Sequence, residues 1–342
     1  MTRVLVVRLD SLGDVLLCGP AVRAVASGAD EVWMLCSRQG APAARMLPGV
    51  RRVLTWECPW IVADPGPVTS AHTDGLVRLI RAAQIDSAVI LTSFHQSPLP
   101  TALLLRLAGV ARIAGASVDH PGTLLDVRLT PGETLPEELP EPERALAIAG
   151  AAGFDLPVGD DGALALSAVG KAPGGLRGCI VVHPGASAPA RRWPVDRFVR
   201  AVQLLREAGW RVAVTGGAHE RALTRTVAQY SAVDLGGRLD LPALAAVIAG
   251  ARVLVCGNTG PAHVAAAVGT PVVSLFSPVV PAVRWAPYRV AHVLLGEQNA
   301  ACRRTRAREC PVPGHPCLAS VLPEAVVAAC EQLARAHAEV PA

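Results

Sequence analysis

The 342-residue chain is 51% hydrophobic and 18% charged, a balance that excludes a disordered or fibrous protein and leaves room for two domains of ordinary size. Its formal net charge of +4, with both signs interspersed, leaves no footprint for nucleic acid. Nine cysteines are too few for a disulfide scaffold at this length, and Cys18, Cys36, Cys179, Cys256 and Cys330 sit in apolar contexts that suit reduced core residues.

Met1-Thr2-Arg3 leads straight into VLVVR, and Asp10 and Asp14 interrupt the apolar sequence beyond it, so no secretory signal is read and a cytoplasmic protein is expected. The first half alternates strands with helices. Strands are predicted over residues 4–8, 31–36, 52–56, 87–92, 112–115 and 127–130, with helices over 15–26, 73–83 and 99–108. Pro20 falls inside the first helix and should kink it or delay its start. A Pro- and acid-rich stretch (131–142) precedes a helix over 143–152. Residues 155–178, with Gly-Asp-Asp-Gly and Lys-Ala-Pro-Gly-Gly, have linker composition and place a domain boundary near residue 170.

The second half repeats the rhythm: a strand over 179–183, the loop PGASAPARRWP, a helix over 195–208, a strand over 211–215, the turn Gly-Gly-Ala-His-Glu, and a helix to about 229. Asp240 is placed to cap the next helix. Then comes VLVCGNTGPAHVAAAVGTPVVSLF (253–276), which reads as strand, glycine turn, small-residue helix, strand: the βαβ unit of a parallel sheet. Residues 253–283 carry no Asp, Glu, Lys or Arg, yet seven Gly and Pro residues break the run, so buried strands explain it better than a membrane span. A last helix covers 323–336. Two similar halves argue for two doubly wound α/β domains, 1–170 and 171–342, facing each other across a cleft.

Four loops come directly after predicted strands, where open α/β sheets place ligands. In the first, Arg8 to Asp14, Gly13 allows a tight turn and Asp14 offers a carboxylate at a helix start, either as a cap or as a general base. The second holds Gly185, the Ser187 hydroxyl and the cations Arg191 and Arg192, a set that suits phosphate or a solvated surface loop. The third brings Gly216, Gly217 and Glu220 to a helix start, for a ribose diol or as a plain helix-start acid. The fourth, Asn258, Thr259, Gly260 and His263, puts free N–H groups and a positive dipole end where a diphosphate is welcome, although an ordinary βα turn looks the same. No G-x-G-x-x-G stands after the first strand and no P-loop motif exists, which counts against a dinucleotide-dependent dehydrogenase and against P-loop phosphoryl transfer. Cys302, Cys310 and Cys317 cluster in a Pro/Arg-rich loop without CxxC spacing; with His315 they make either a zinc site or an unligated, redox-labile loop, and no metal is expected.

Taken together, VLVVRLDSLGDVLLCGPAVRAV, HPGASAPARRWPVDRF, CGNTGPAHVAAAVGTPVVSLFSP and ECPVPGHPCL resemble, in order and spacing, the ADP-heptose:lipopolysaccharide heptosyltransferases, the family-nine glycosyltransferases. The resemblance covers nearly the whole chain. It implies the GT-B architecture of two Rossmann-like domains, with the acceptor on the first, the donor mainly on the second, and the last helix packing back on the first. It also implies an inverting, metal-independent transfer of a heptose from ADP-heptose to a carbohydrate acceptor such as lipopolysaccharide core or another surface glycan, with no cofactor. By the same resemblance Asp14 matches the general base, Ser187 and Arg191 match donor-phosphate contacts with Arg192 beside them, Glu220 matches the acid near the ribose, and Asn258, Thr259, Gly260 and His263 match the donor loop. Asn258 departs from the family's usual aspartate, keeping a hydrogen-bonding side chain but removing a charge. The late cysteine segment lacks a close first pair.

The expected partners are an ADP-sugar and a glycan or glycolipid, for a monomeric protein. The apolar helices over 99–108 and 12–26 serve either core packing or transient contact with a membrane surface. Two other readings stay open: a non-catalytic nucleotide-sugar-binding protein, and a GT-B-like nucleotide-sugar epimerase, which would turn over its donor without an acceptor.

Overall fold

The computed structural model describes residues 2–62, 64–229 and 232–338. The chain divides into two compact units, residues 1–167 and 168–342. The first contains β1 (Arg3–Arg8), α1 (Leu12–Leu17), α2 (Gly19–Gly28), β2 (Glu31–Cys36), α3 (Ala41–Ala44), β3 (Val50–Thr55), α4 (Ser70–Ala83), β4 (Ser87–Ile90), α5 (Leu99–Leu107), β5 (Arg112–Ala116), β6 (Val127–Leu129) and α6 (Glu141–Ala151). The second contains β7 (Ile180–His183), α7 (Val195–Glu207), β8 (Val212–Val214), α8 (Arg221–Ala228), β9 (Val233–Asp234), α9 (Leu241–Ala249), β10 (Val253–Gly257), α10 (Gly260–Val268), β11 (Val272–Leu275), α11 (Ala282–Trp285), β12 (His292–Leu295), α12 (Pro316–Ala319) and α13 (Pro323–Ala338).

Each unit holds a six-stranded sheet whose named strand pairs are all parallel. The order is β3-β2-β1-β4-β5-β6 in one and β9-β8-β7-β10-β11-β12 in the other. Both are the dinucleotide-fold order in which the first strand lies between the second and the fourth, so each sheet reverses direction of winding beside its first strand. That reversal opens a crevice at the carboxyl ends of β1 and β4 in one unit, and of β7 and β10 in the other.

The strands form where apolar runs are long enough to be covered on both faces: Val4 to Val7 and Val253 to Cys256 are almost wholly buried. Helix α4 shows the opposite pattern, burying Leu76, Ile80 and Ala83 along one stripe. The Thr69 side chain accepts from the His72 N–H to start it, and Gln84 in a left-handed conformation ends it. The helix expected over 15–26 is two helices meeting at Cys18. Pro20 stands in the first turn of α2, where its missing N–H costs nothing, so of the two expected effects it is the later helix start that the structure shows. Strands β9 and β12 and the short helices α11 and α12 were not expected from the sequence; β9 has two residues and β12 is an edge strand of intermediate burial.

Each unit has its own core. One gathers Leu5, Val7, Leu35, Leu76, Ile80, Ile90 and Leu105, and the other Val182, Phe198, Leu205, Val255, Leu275 and Leu333. Helix α13 contributes to the second core and packs on α7 and on β10, β11 and β12. Among the described residues no helix is long and apolar enough to cross a membrane.

Candidate active site

In the first unit the crevice is built around Arg8, the last residue of β1. A guanidinium at the end of a fully covered strand must be paired, and Arg8, 2% exposed, is paired several times over. Its Nε lies 3.3 Å from Asp10 Oδ1 and its Nη2 lies 3.2 Å from Asp14 Oδ1. Glu141, the first residue of α6, brings Oε2 to 3.4 Å from Nη1. Nη2 also donates to Ser93 Oγ at 2.6 Å. Burial alone would weaken the Arg8 charge, but Asp10, Cys18, Asp14 and Glu141 together outweigh it and hold its pKa well above the ordinary value.

Asp14 keeps both roles left open by the sequence. As an acid in the first turn of α1 it accepts from the Ser11 N–H (3.4 Å) and from Ser11 Oγ (2.7 Å), which is a helix-start role. It also meets Arg8 and stays partly exposed at 20%, so a carboxylate is both oriented and reachable. Gly13, expected to form a turn, lies inside the first turn of α1 instead. Asp10 is held differently: Ser93 Oγ (3.1 Å) and Gln96 Nε2 (3.0 Å) donate to its Oδ2, so the β4 loop reaches the β1 loop across the winding reversal. Burial pushes the Asp10 carboxyl up and the charge of Asp14 adds to this, against Arg8, Gln96 and Ser93.

In the second unit the three loops after β7, β8 and β10 meet because their strands are neighbours, with Cys256 beside His183 and Val182 beside Val214. Gly185 and Gly216 are needed for closeness rather than for left-handed turns. A Cβ at Gly185 would overlap the Glu220 carboxylate, and one at Gly216 would stand 2.6 Å from Thr224 Cγ2. At Gly217, with φ −70°, it would stand 3.0 Å from His219 Cε1. Glu220 Oε2 accepts from the Gly217 N–H at 2.8 Å and lies 3.9 Å from His183 Nε2. The other ring nitrogen of His183 bonds Thr215 Oγ1 at 3.1 Å. Burial lowers the pKa of His183, with His219 adding and Glu220 opposing, so this imidazole is kept neutral.

Helix α10 begins at Gly260 with Thr259 as extended N-cap, and its start is pressed against the β7 loop: a Cβ at Gly257 would stand 2.9 Å from the Arg191 carbonyl oxygen. Asn258 is 6% exposed, and neither its Oδ1 nor its Nδ2 has a hydrogen-bond partner among the described residues. The buried Thr259 Oγ1 has none either. His263 is buried one turn into α10. Ser187 is exposed, and so is Arg192, whose Nε donates to the Ala186 carbonyl at 2.9 Å and braces its own loop.

The cysteine loop finds its use here. Cys302 packs with Ala190 and Val279, the Ala190 N–H donates to the Arg308 carbonyl (2.9 Å), and His315 Nε2 lies 3.1 Å from the Ala190 carbonyl. The segment thus supports the turn that carries Arg191. All nine cysteines are free, and burial, with Cys302 next, pushes the Cys317 thiol up to about 11. Among the described residues no group of three or more His, Cys, Asp or Glu is placed to hold a metal ion.

Residues 151–315 match the model of glycosyltransferase family 9 (heptosyltransferase). This chain carries a family-nine glycosyltransferase domain. The chain is 27% identical to lipopolysaccharide heptosyltransferase 1 of Pseudomonas aeruginosa over 312 residues, 82% of this chain and 79% of that one. It is 30% identical to lipooligosaccharide heptosyltransferase 2 of Haemophilus influenzae over 115 residues, 31% of this chain and 33% of that one. The chain spans a third to about a half of the length of the first curated relatives it matches. Among solved structures it is similar to Escherichia coli ADP-heptose lipopolysaccharide heptosyltransferase II, at TM-score 0.73 and 20% identity over 98% of this chain and 100% of that one. It is also similar to the E. coli heptosyltransferase WaaC with ADP-2-deoxy-2-fluoro heptose, at TM-score 0.74 and 20% identity over 97% and 99%. These likenesses show the fold, the GT-B type of the heptosyltransferases.

Several residues of the two crevices carry little sequence signal. Arg8 had one, a lone charge closing an apolar strand. Glu141 had none, because 133 residues separate it from its partner.

Proposed function

We propose that this protein moves a heptose from ADP-heptose to a hydroxyl of a carbohydrate acceptor. The observation that carries the reading is Asn258: a carboxamide buried without a hydrogen-bond partner among the described residues, next to the unpartnered Thr259 hydroxyl, at a helix start beside Arg191. Buried polar groups are ordinarily satisfied, and two adjacent exceptions at the winding reversal of a doubly wound sheet are what a ligand would complete. The α10 N–H groups and the Arg191 and Arg192 guanidinia suit a diphosphate, and Glu220, oriented by Gly217, suits a ribose diol. That two proteins of similar fold are named for ADP-heptose or bind an analogue of it supports the same donor here.

In the proposed reaction Asp14 takes the proton of the acceptor hydroxyl as its oxygen attacks the anomeric carbon from the side opposite the diphosphate. The C–O bond to ADP breaks, the configuration inverts, and ADP leaves with its charge met by α10 and Arg191. Charge neutralisation by arginine and backbone N–H groups gives the leaving group what it needs without a metal. Lipopolysaccharide core or another surface glycan is the acceptor, and the reaction takes place in the cytoplasm. Helix α5 supports brief contact with a membrane surface: it buries Ala102, Leu104 and Leu105 but leaves Leu103 and Leu107 exposed at 47% and 56%.

Calorimetric titration with ADP-heptose, a GDP-sugar and a UDP-sugar, without added metal, tests the donor. Selective binding of ADP-heptose is expected. Preference for another nucleotide sugar overturns the heptose assignment, and no binding of any overturns the donor site.

A further inference from the structure

The buried cluster around Arg8 goes beyond what a general base requires. One guanidinium faces three carboxylates that come from two distant parts of the chain: Asp10 at 3.3 Å and Asp14 at 3.2 Å from the β1–α1 segment, and Glu141 at 3.4 Å from α6. The three are not equivalent. Glu141 is 2% exposed, Asp10 is fastened by Ser93 and Gln96, and Asp14 is the most open, with 20% of its side chain exposed. A buried cation normally pairs with one carboxylate, because each further anion adds desolvation and mutual repulsion. Here two carboxylates that are poorly placed to reach a substrate draw on the charge that would otherwise fix Asp14.

We propose that Glu141 and Asp10 are positioning residues that act on Asp14 through Arg8: by sharing its guanidinium they weaken its grip on the Asp14 carboxylate, so that Asp14 takes a proton readily. The inference rests on the reading of Asp14 as the base. Among the described residues, the charges of Asp10, Asp14, Cys18 and Glu141 act on Arg8, while Ser93 and Gln96 on the β4 side carry no charge. Burial pushes the Cys58 thiol beyond β3 up to about 12, and the charge of Asp10 adds to this. Arg144, one turn further along α6, is a second buried cation on that helix. Removing the charge of either helper leaves Arg8 more strongly engaged with Asp14. The expected consequence is a less basic Asp14, the sign that separates this arrangement from simple structural support.

The experiment is a carbon-13 carboxyl NMR titration of Asp14, its signal assigned by loss in Asp14→Asn, in the wild-type protein and in Glu141→Gln and Asp10→Asn. In both variants the Asp14 midpoint should fall by about half a pH unit or more, roughly a threefold change in its ionisation constant. The acid limb of kcat/KM should move the same way, with the KM for the donor nearly unchanged. Folded variants with an unmoved midpoint overturn the proposal, even if they are less stable. If Glu141→Gln does not fold, Asp10→Asn, nearly isosteric and at a less buried position, decides alone. If the wild-type protein transfers no sugar while the midpoints shift as expected, the coupling through Arg8 stands and the role of Asp14 as base falls.

Discussion

At the scale of single residues, the roles proposed for Asp14 and Asn258 can be separated by kinetics. Asp14→Asn keeps the shape and the Ser11 contacts but cannot accept a proton. Turnover should drop by about 10²–10⁴-fold with donor affinity nearly kept. Full activity in that variant would remove Asp14 from the base role. Asn258→Ala does the reverse, deleting a buried donor and acceptor that meet no described partner. It should weaken ADP-sugar binding about tenfold and cost the apo protein little stability, since no internal hydrogen bond is lost. A large drop in apo stability with unchanged binding would mean that Asn258 is a packing residue. His263→Ala is also expected to weaken donor binding, and titration calorimetry reads both.

Among the elements, two contacts set how the crevices are held. Gly185 brings the β7 loop against Glu220, so Gly185→Ala must displace the Glu220 carboxylate. Donor affinity should fall at least tenfold while the melting temperature changes little; unchanged affinity would detach Glu220 from the donor site. Elsewhere, α2 is tied to the segment after α6 by Arg23, whose Nε and Nη2 donate to the two oxygens of Asp160 at 2.6 and 2.8 Å. The hydrogen bonds from Arg23 outweigh burial and, with the Gly162 N–H and the Arg23 charge, lower the Asp160 pKa to about 2. A depressed carboxyl stabilises the fold in full above its unfolded pKa of about 4, and that stabilisation is lost as pH falls toward 2. Asp160→Asn should therefore cost roughly 1–2 kcal/mol at neutral pH. The difference from wild type should vanish near pH 2, as urea melts across pH would reveal; a constant difference would contradict the ion-pair account.

For the whole molecule, two separate cores mean that stability need not be a single quantity. If the second unit holds the donor, ADP should raise the calorimetric transition of that unit by several degrees and leave the other nearly in place. Equal shifts in both would show that the nucleotide engages both units. The sequence alone determined the alternation of strands and helices, since parallel strands covered on both faces must be written as short apolar runs separated by turns. It also determined the four loops and their order, because glycine, proline and capping residues act locally: Asp240, read as a cap, accepts from the Ala243 N–H as expected. Short edge elements such as β9 and β12 escaped it, having too few residues for any periodicity. What only the tertiary structure decided is which charges share space. The strand order 3-2-1-4-5-6 sets β4 beside β1, and with it Ser93 and Gln96 beside Asp10, while the packing of α6 brings Glu141 to Arg8. Pairings across such separations arise from chain topology and desolvation, and neither leaves a local mark in the residues that make them.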